Sequence, residues 1–222
     1  MMPETLHTMH AVLFDLDNTL IDTERIKELL FLAAQEAGIS KEDAQETYRR
    51  TRDVNNQMTF TLAHYAQALG KPELEDAFRA ALQKEKETLL YKEAKQLLEA
   101  CRDANIPAHV ITLGVLEWQK EKIMLTGVAA LVPERNWHST DAGNAADGKA
   151  RLIRAIIGKE NDGAGYLFVN DKPDETAEIL RMFSGLRALV YADARDARYT
   201  DPSFDALRTE FGARVDIEKR IV

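Results

Sequence analysis

The sequence predicts an α/β fold: a parallel sheet covered by helices on both faces, with an all-helical segment inserted after the first strand. Three observations carry that prediction. Short apolar runs recur at Ala11–Phe14, Ala108–Thr112, Tyr166–Val169 and Leu186–Tyr191, the pattern of strands buried on both faces of a parallel sheet. Helix-period stretches separate them, one with Ala94, Leu97, Leu98 and Cys101 on a single face and one with Leu152, Ile153, Ile156 and Ile157, which implies right-handed crossovers. From about Glu24 to Lys92 no strand-like run appears, and amphipathic stripes follow one another.

Taken in order, the first strand is Ala11–Phe14, closed by Asp15. The insertion then shows three stripes: Ile26, Leu29, Leu30 and Ala33; Met58, Leu62, Tyr65 and Leu69; and Leu74, Phe78, Ala81 and Leu82. Gly70 stops the second, and Pro72 stands where it can open the third. The insertion holds 12 acidic and 11 basic residues, so nearly the whole net charge of −8 falls on the rest of the chain. The expected division is a core of residues 1–22 and 93–222, with a helical cap of residues 23–92. Ligands of open parallel sheets bind at the carboxyl ends of the strands, so the insertion reads as a lid over the site.

Composition narrows the function. The chain has 222 residues, 45% of them apolar, enough for a sizeable core without a disulfide or structural metal. Its one cysteine, Cys101, has no internal partner and fits a reducing compartment; it falls on the apolar helix face and is expected to be inert. An excess of 37 acidic over 29 basic residues argues against a general nucleic-acid surface, which needs cations to displace phosphate counterions. The longest unbroken apolar run, Leu29–Ala34, is far too short to span a bilayer. Met1–His10 has neither a basic start nor an apolar stretch, so no leader is expected there. A soluble, cytoplasmic protein is the expectation, and nothing in the sequence speaks to oligomeric state.

The strongest local signal is Val12-Leu13-Phe14-Asp15-Leu16-Asp17-Asn18-Thr19-Leu20. A buried strand ends there in two carboxylates one residue apart, and burial of bare carboxylates costs several kcal/mol unless a cation, a proton or strong donors offset it. Such a pair can ligate Mg²⁺, attack a phosphoryl group, shuttle a proton, or simply cap the loop after the strand. Matching groups recur at the ends of other runs: Thr112, then Lys149 near a helix start, then Asn170-Asp171 followed by Asp174 and Glu175. A hydroxyl, an ammonium and further carboxylates at strand ends and helix starts make up a phosphoryl-transfer set.

Asp15-Leu16-Asp17-Asn18-Thr19, Thr112, Lys149 and Asp171, in that order, resemble the four motifs of the haloacid dehalogenase-like (HAD) hydrolase superfamily. The resemblance covers nearly the whole chain, including a helical, C1-type cap after the first motif. It implies a Rossmann-like core and a Mg²⁺-dependent phosphatase acting on a small phosphorylated metabolite. It further implies Asp15 as nucleophile, Asp17 as acid and base, and Mg²⁺ held by Asp15, the backbone carbonyl of Asp17, and Asp171. Thr112 and Lys149 would bind the phosphoryl group, and Glu175, Asp174 and Asn170 would support the metal, with spacing favouring Glu175. The second aspartate favours phosphate esters, because the dehalogenase and phosphonate-cleaving branches lack it. A phosphotransferase or phosphomutase of the same fold is the neighbouring alternative, and a catalytically idle binding protein is the alternative of another class.

The chain also departs from the family pattern. Leu113 stands where many relatives have asparagine, Lys149 is not followed by proline, and Asn170 replaces glycine or aspartate. Lys120 and Lys122 rival Lys149, though their helix just after Thr112 makes the sheet edge harder to reach. On the insertion, Arg49 and Arg52 are candidates for a second anionic group of the substrate. His109, in a strand, is expected to be a core histidine, and Asp193–Val222 holds no assignable motif.

Overall fold

The computed structural model describes residues 8–54, 57–141 and 145–220. Met1–His7, part of the segment on which the leader reading rests, lie outside these.

Six strands form one parallel sheet: β1 (Ala11–Phe14), β4 (Ala108–Leu113), β5 (Trp137–Thr140), β6 (Tyr166–Asn170), β7 (Arg187–Asp193) and β8 (Val215–Arg220), in the order β5-β4-β1-β6-β7-β8. The chain steps outward from β1 to one edge and then returns to its other side. This puts a topological switch point at β1, where the loops after adjacent strands diverge and leave a crevice. Alternate residues of β1 face opposite layers. Val12 and Phe14 join a core shared with the inserted helices. Ala11 and Leu13 face α7 (Ala145–Ile157), α8 (Pro173–Met182) and α9 (Asp201–Phe211).

Between β1 and α5 (Lys92–Asp103) lie α1 (Thr23–Glu36), α2 (Lys41–Arg52), α3 (Leu62–Ala68) and α4 (Leu74–Leu89). The predicted stripes are the buried faces: Ile26, Leu29, Leu30 and Ala33 on α1, and Leu74, Phe78 and Leu82 on α4. Asp22 caps α1 by accepting the Arg25 N–H at 3.0 Å, and Thr61 caps α3 by accepting that of His64 at 3.1 Å. Two elements differ from the helical expectation. Asp53–Val54 (β2) and Gln57–Met58 (β3) pair as a short antiparallel ladder, so Met58 belongs to β3 and not to the helix of Leu62. The insertion joins the core through two adjacent strands of chain, where Asp22 N–H donates to Leu89 O and Tyr91 N–H to Leu20 O, both at 2.9 Å.

Cys101 is buried on α5, and burial pushes its thiol up to about 12, which fits an inert structural cysteine. His109 on β4 faces His138 on β5, Nδ1 to Nε2 at 3.0 Å, with ring centroids 5.3 Å apart. That separation is the N···N distance plus the two ring radii, so the rings meet edge to edge through one in-line N–H···N bond. A second proton would break it. Burial, and then His138, lower His109 to about 4. The unfolded chain takes up that proton below about pH 6.5, so stability is unaffected above this value and falls as pH drops toward 4. Thermal melts of His109→Val/His138→Val are expected to lose that acid slope; a slope equal to that of the wild type would disprove the assignment.

Candidate active site

Asp15 follows β1 directly, and its N–H donates to Val169 O at 2.9 Å. The carboxylate is 2% exposed. Its Oδ1 lies 2.8 Å from Lys149 Nζ, and its Oδ2 has no partner. Lys149, on α7, is 1% exposed and also reaches Glu175 Oε1 at 2.5 Å. Glu175, in the first turn of α8, accepts in addition from Asn170 Nδ2 at 3.0 Å. One ammonium thus bridges two buried carboxylates. Burial raises Asp15 above the usual carboxylate range in spite of Lys149. Burial would also raise Glu175, but Lys149 and Lys172 outweigh it and hold the group low. Lys149 is driven the other way: Asp15 and Glu175 overcome burial and keep it protonated.

The turn after Asp15 is folded around Leu16 O, which accepts from the N–H groups of Thr19, Leu20 and Ile21. Asn18 adopts the left-handed conformation at φ 58°. Asparagine tolerates that region better than other non-glycine residues, and here its Oδ1 accepts the Thr23 N–H at 3.1 Å. Asp17 Oδ1 accepts from Thr23 Oγ1 at 2.7 Å and from Lys122 Nζ. Burial alone would raise Asp17, but Lys122 and Thr23 bring it below its ordinary value. The Thr19 hydroxyl donates to Asp171 Oδ1 at 3.3 Å. Burial and then Asp15, resisted by Lys172, push Asp171 up to about 7.

Thr112, near the end of β4, is buried with an unpartnered hydroxyl. The chain then turns through Gly114 at φ 128°, a backbone conformation that favours glycine over any residue with a Cβ. Above these strand ends lies a cavity of about 480 Å³. Asp17, Leu113, Lys122, Asp171 and Lys172 form its floor; Tyr48, Arg52, Met58 and Phe60 line it from the insertion, and Arg195, Arg198 and Tyr199 from the stretch after β7.

The structure therefore brings Asp15, Asp17, Lys149, Asp171 and Glu175 into one connected set, with Thr112 at the adjoining strand end and Arg52 at the cavity wall. It corrects three expectations. Arg49 faces solvent, 70% exposed, in an ion pair with Glu46 at 2.8 Å. Asp174, expected to support the metal, has its Oδ1 taken up by Tyr199 Oη at 2.9 Å and by the Glu175 N–H at 2.8 Å. Lys122, judged badly placed, is buried and bonds Asp17, because α6 (Leu116–Leu125) begins at once after the Gly114 turn and presents Trp118, Gln119, Lys122 and Ile123 inward. Asn170 acts by bridging Glu175 and Thr176.

Among the described residues no three Asp, Glu, His or Cys side chains form a metal cage. A set of two carboxylates, Asp15 and Asp171, with one main-chain carbonyl suits Mg²⁺, which keeps several waters. A cation there would give Asp15 Oδ2 a partner and would add to Lys172 and Lys149 in offsetting the Asp15–Asp171 repulsion.

A model of the haloacid dehalogenase-like hydrolases matches residues 12–169. The chain belongs to that family. Several solved structures share the fold of this HAD protein. A haloacid dehalogenase-like hydrolase from Burkholderia xenovorans LB400 is 18% identical over 94% of each chain, with a TM-score of 0.63. The HAD-hydrolase YfnB from Bacillus subtilis, bound to magnesium, is 16% identical over 91% of this chain and 98% of its own, with a TM-score of 0.55. A HAD family hydrolase from Deinococcus radiodurans R1, with bound phosphate and sodium, is 18% identical over 96% and 92%, with a TM-score of 0.51. Comparison with curated proteins returned no match. Among the described residues of the HAD chain, no helix is long and apolar enough to cross a membrane.

Proposed function

We propose that this HAD protein is a Mg²⁺-dependent phosphatase that hydrolyses a phosphate monoester of a small metabolite through an aspartyl-phosphate. In this reading, residues 23–92 are a cap domain over a core of residues 1–22 and 93–222. The observation that carries it is Asp15: a carboxylate buried at the switch point, one oxygen fixed by Lys149 and the other free. The magnesium and phosphate bound by structural neighbours support it.

The free oxygen of Asp15 attacks phosphorus, and the ester P–O bond breaks. Asp17, ionised in the free site, takes up a proton as the dianionic ester enters beside it, gives that proton to the departing oxygen, and then takes one from the water that attacks the aspartyl-phosphate, releasing inorganic phosphate and regenerating Asp15. Lys122 and Thr23 fix Asp17 Oδ1, so the proton travels on the other oxygen. The Thr112 hydroxyl donates to a phosphoryl oxygen, and Lys149 balances the charge on Asp15 and on the transferred group. Asp15, Asp171 and the Asp17 carbonyl would hold Mg²⁺, which when bound would neutralise charge on the phosphoryl group. A halide leaving group needs no proton, so the fixed Asp17 favours an ester.

With p-nitrophenyl phosphate as probe, phosphate release is expected to stop in EDTA and to return with added Mg²⁺. Hydrolysis that ignores EDTA, or transfer to an added polyol that outruns transfer to water, would refute the reading.

A further inference from the structure

We infer that Arg220, the last residue of β8, is a positioning residue for the Asp15 site: its guanidinium clamps the carbonyls of Asn18 and Thr19 and holds the turn that carries Asp17. The inference rests on the proposed function in taking that turn as the reacting loop.

The side chain of Arg220 is 1% exposed. A guanidinium withdrawn from water needs its donors met. Nε donates to Glu93 Oε1 at 2.5 Å, Nη1 to Asn18 O at 2.5 Å, and Nη2 to Thr19 O at 2.9 Å. The plane is stacked on Tyr91, 3.5 Å from the ring centroid, and faces Tyr191 at 4.9 Å. In extended chain, successive carbonyls point to opposite sides. Here they point the same way, because Asn18 is left-handed and the following N–H groups turn inward to Leu16 O. The backbone oxygens left facing outward meet the fork of Arg220.

The opposite side of the same turn faces the chemistry. The Thr19 hydroxyl touches Asp171, and the Asp17 carboxylate meets Thr23 and Lys122. Arg220 therefore grips the backbone from behind while the reacting groups project in front. Lysine could not replace it, since a single ammonium cannot serve two carbonyls and a carboxylate in one plane. Tyr91 adds a second link: it stacks on Arg220, and its N–H donates to Leu20 O where the chain returns from the insertion. Glu93 and Tyr91 thus tie the clamp to the start of α5.

The test compares full-length wild type with Arg220→Ala and Arg220→Lys. Amide hydrogen exchange at residues 17–21 is expected to rise about tenfold or more in both variants, with exchange in β1 and β6 unchanged. In the p-nitrophenyl phosphate assay Arg220→Ala is expected to lose about tenfold or more in kcat, with KM within roughly threefold. Free guanidinium, seated between Tyr91 and Tyr191, is expected to restore part of that loss in Arg220→Ala and none in Arg220→Lys. Unchanged exchange at residues 17–21 overturns the clamp, and so does a rate loss that guanidinium does not relieve. If Arg220→Ala does not fold, exchange in Arg220→Lys decides. If the wild type releases no phosphate, the proposed function has failed, and the exchange measurement still decides whether Arg220 holds the turn.

Discussion

Asp15→Asn is expected to lower phosphate release by at least about 10⁴-fold, with secondary structure and thermal midpoint little changed. The amide has nearly the volume of the carboxylate, so Phe14, Val169 and their neighbours keep their packing. What disappears is the nucleophilic oxygen pair, one member of which has no hydrogen-bond partner in the protein. The electrostatic cost of the exchange is small. Burial already works against the charged form of Asp15, and Lys149 retains Glu175 at 2.5 Å. Removing a negative charge from the pocket also reduces its repulsion of a dianion. Inorganic phosphate should therefore bind the variant at least as tightly as the wild type, by calorimetry in the presence of Mg²⁺. Loss of activity with retained phosphate binding separates a missing nucleophile from a collapsed site. Equal rates in variant and wild type would remove Asp15 from the reaction.

The parts of this protein that were legible in its sequence are those where local pattern and tertiary role coincide. β1, β4, β6 and β7 are buried on both faces and announce themselves as apolar runs. β5 reads Trp137-His138-Ser139-Thr140 and β8 reads Val215–Arg220; as edge strands they meet water, so their composition carries no such run. The insertion showed α1, α3 and α4 by period, but not α2, whose buried face is Ala44, Thr47 and Thr51 and carries no apolar stripe. The β2–β3 ladder, only two residues per strand, is too short to show one. The same division applies to the site. Asp15, Thr112 and Asp171 stand at the ends of legible strands. Lys122 lies on α6, a helix without a clean apolar stripe, and its pairing with Asp17 is closed by tertiary packing alone. Arg220 meets Asn18 across 202 residues, and nothing near either residue signals the other. A charged residue within a buried helix face, as in Trp118-x-x-x-Lys122-Ile123, is the one cue that could have marked Lys122, since burial of lysine demands a partner.

Lys149→Met should destabilise the metal-free protein by about 3–5 kcal/mol at neutral pH, a fall in Tm of roughly 10 °C for a chain of this size. Methionine fills much of the same space, so the loss is electrostatic. Asp15 and Glu175 would face each other in the interior without the ammonium that bonds both, and Asn170 Nδ2 can compensate only Glu175. The pH dependence gives the sign. In the wild type, Lys149 and Lys172 outweigh burial and hold Glu175 below its ordinary 4.5, so its stabilisation is present above that value and is lost as pH falls further. In the variant both carboxyls lie above their ordinary values, and their penalty is relieved as they take up protons on acidification. Both effects narrow the gap between the two proteins below about pH 5, so it is widest near pH 7–8. Adding Glu175→Gln removes one of the stranded charges and should recover part of the loss, which makes the coupling readable as a double-mutant cycle. Melts recorded in EDTA across pH 4.5–8 test this. A variant as stable as the wild type at pH 7.5, or a gap that widens toward acid, would mean that the buried Lys149 does not hold these carboxylates together.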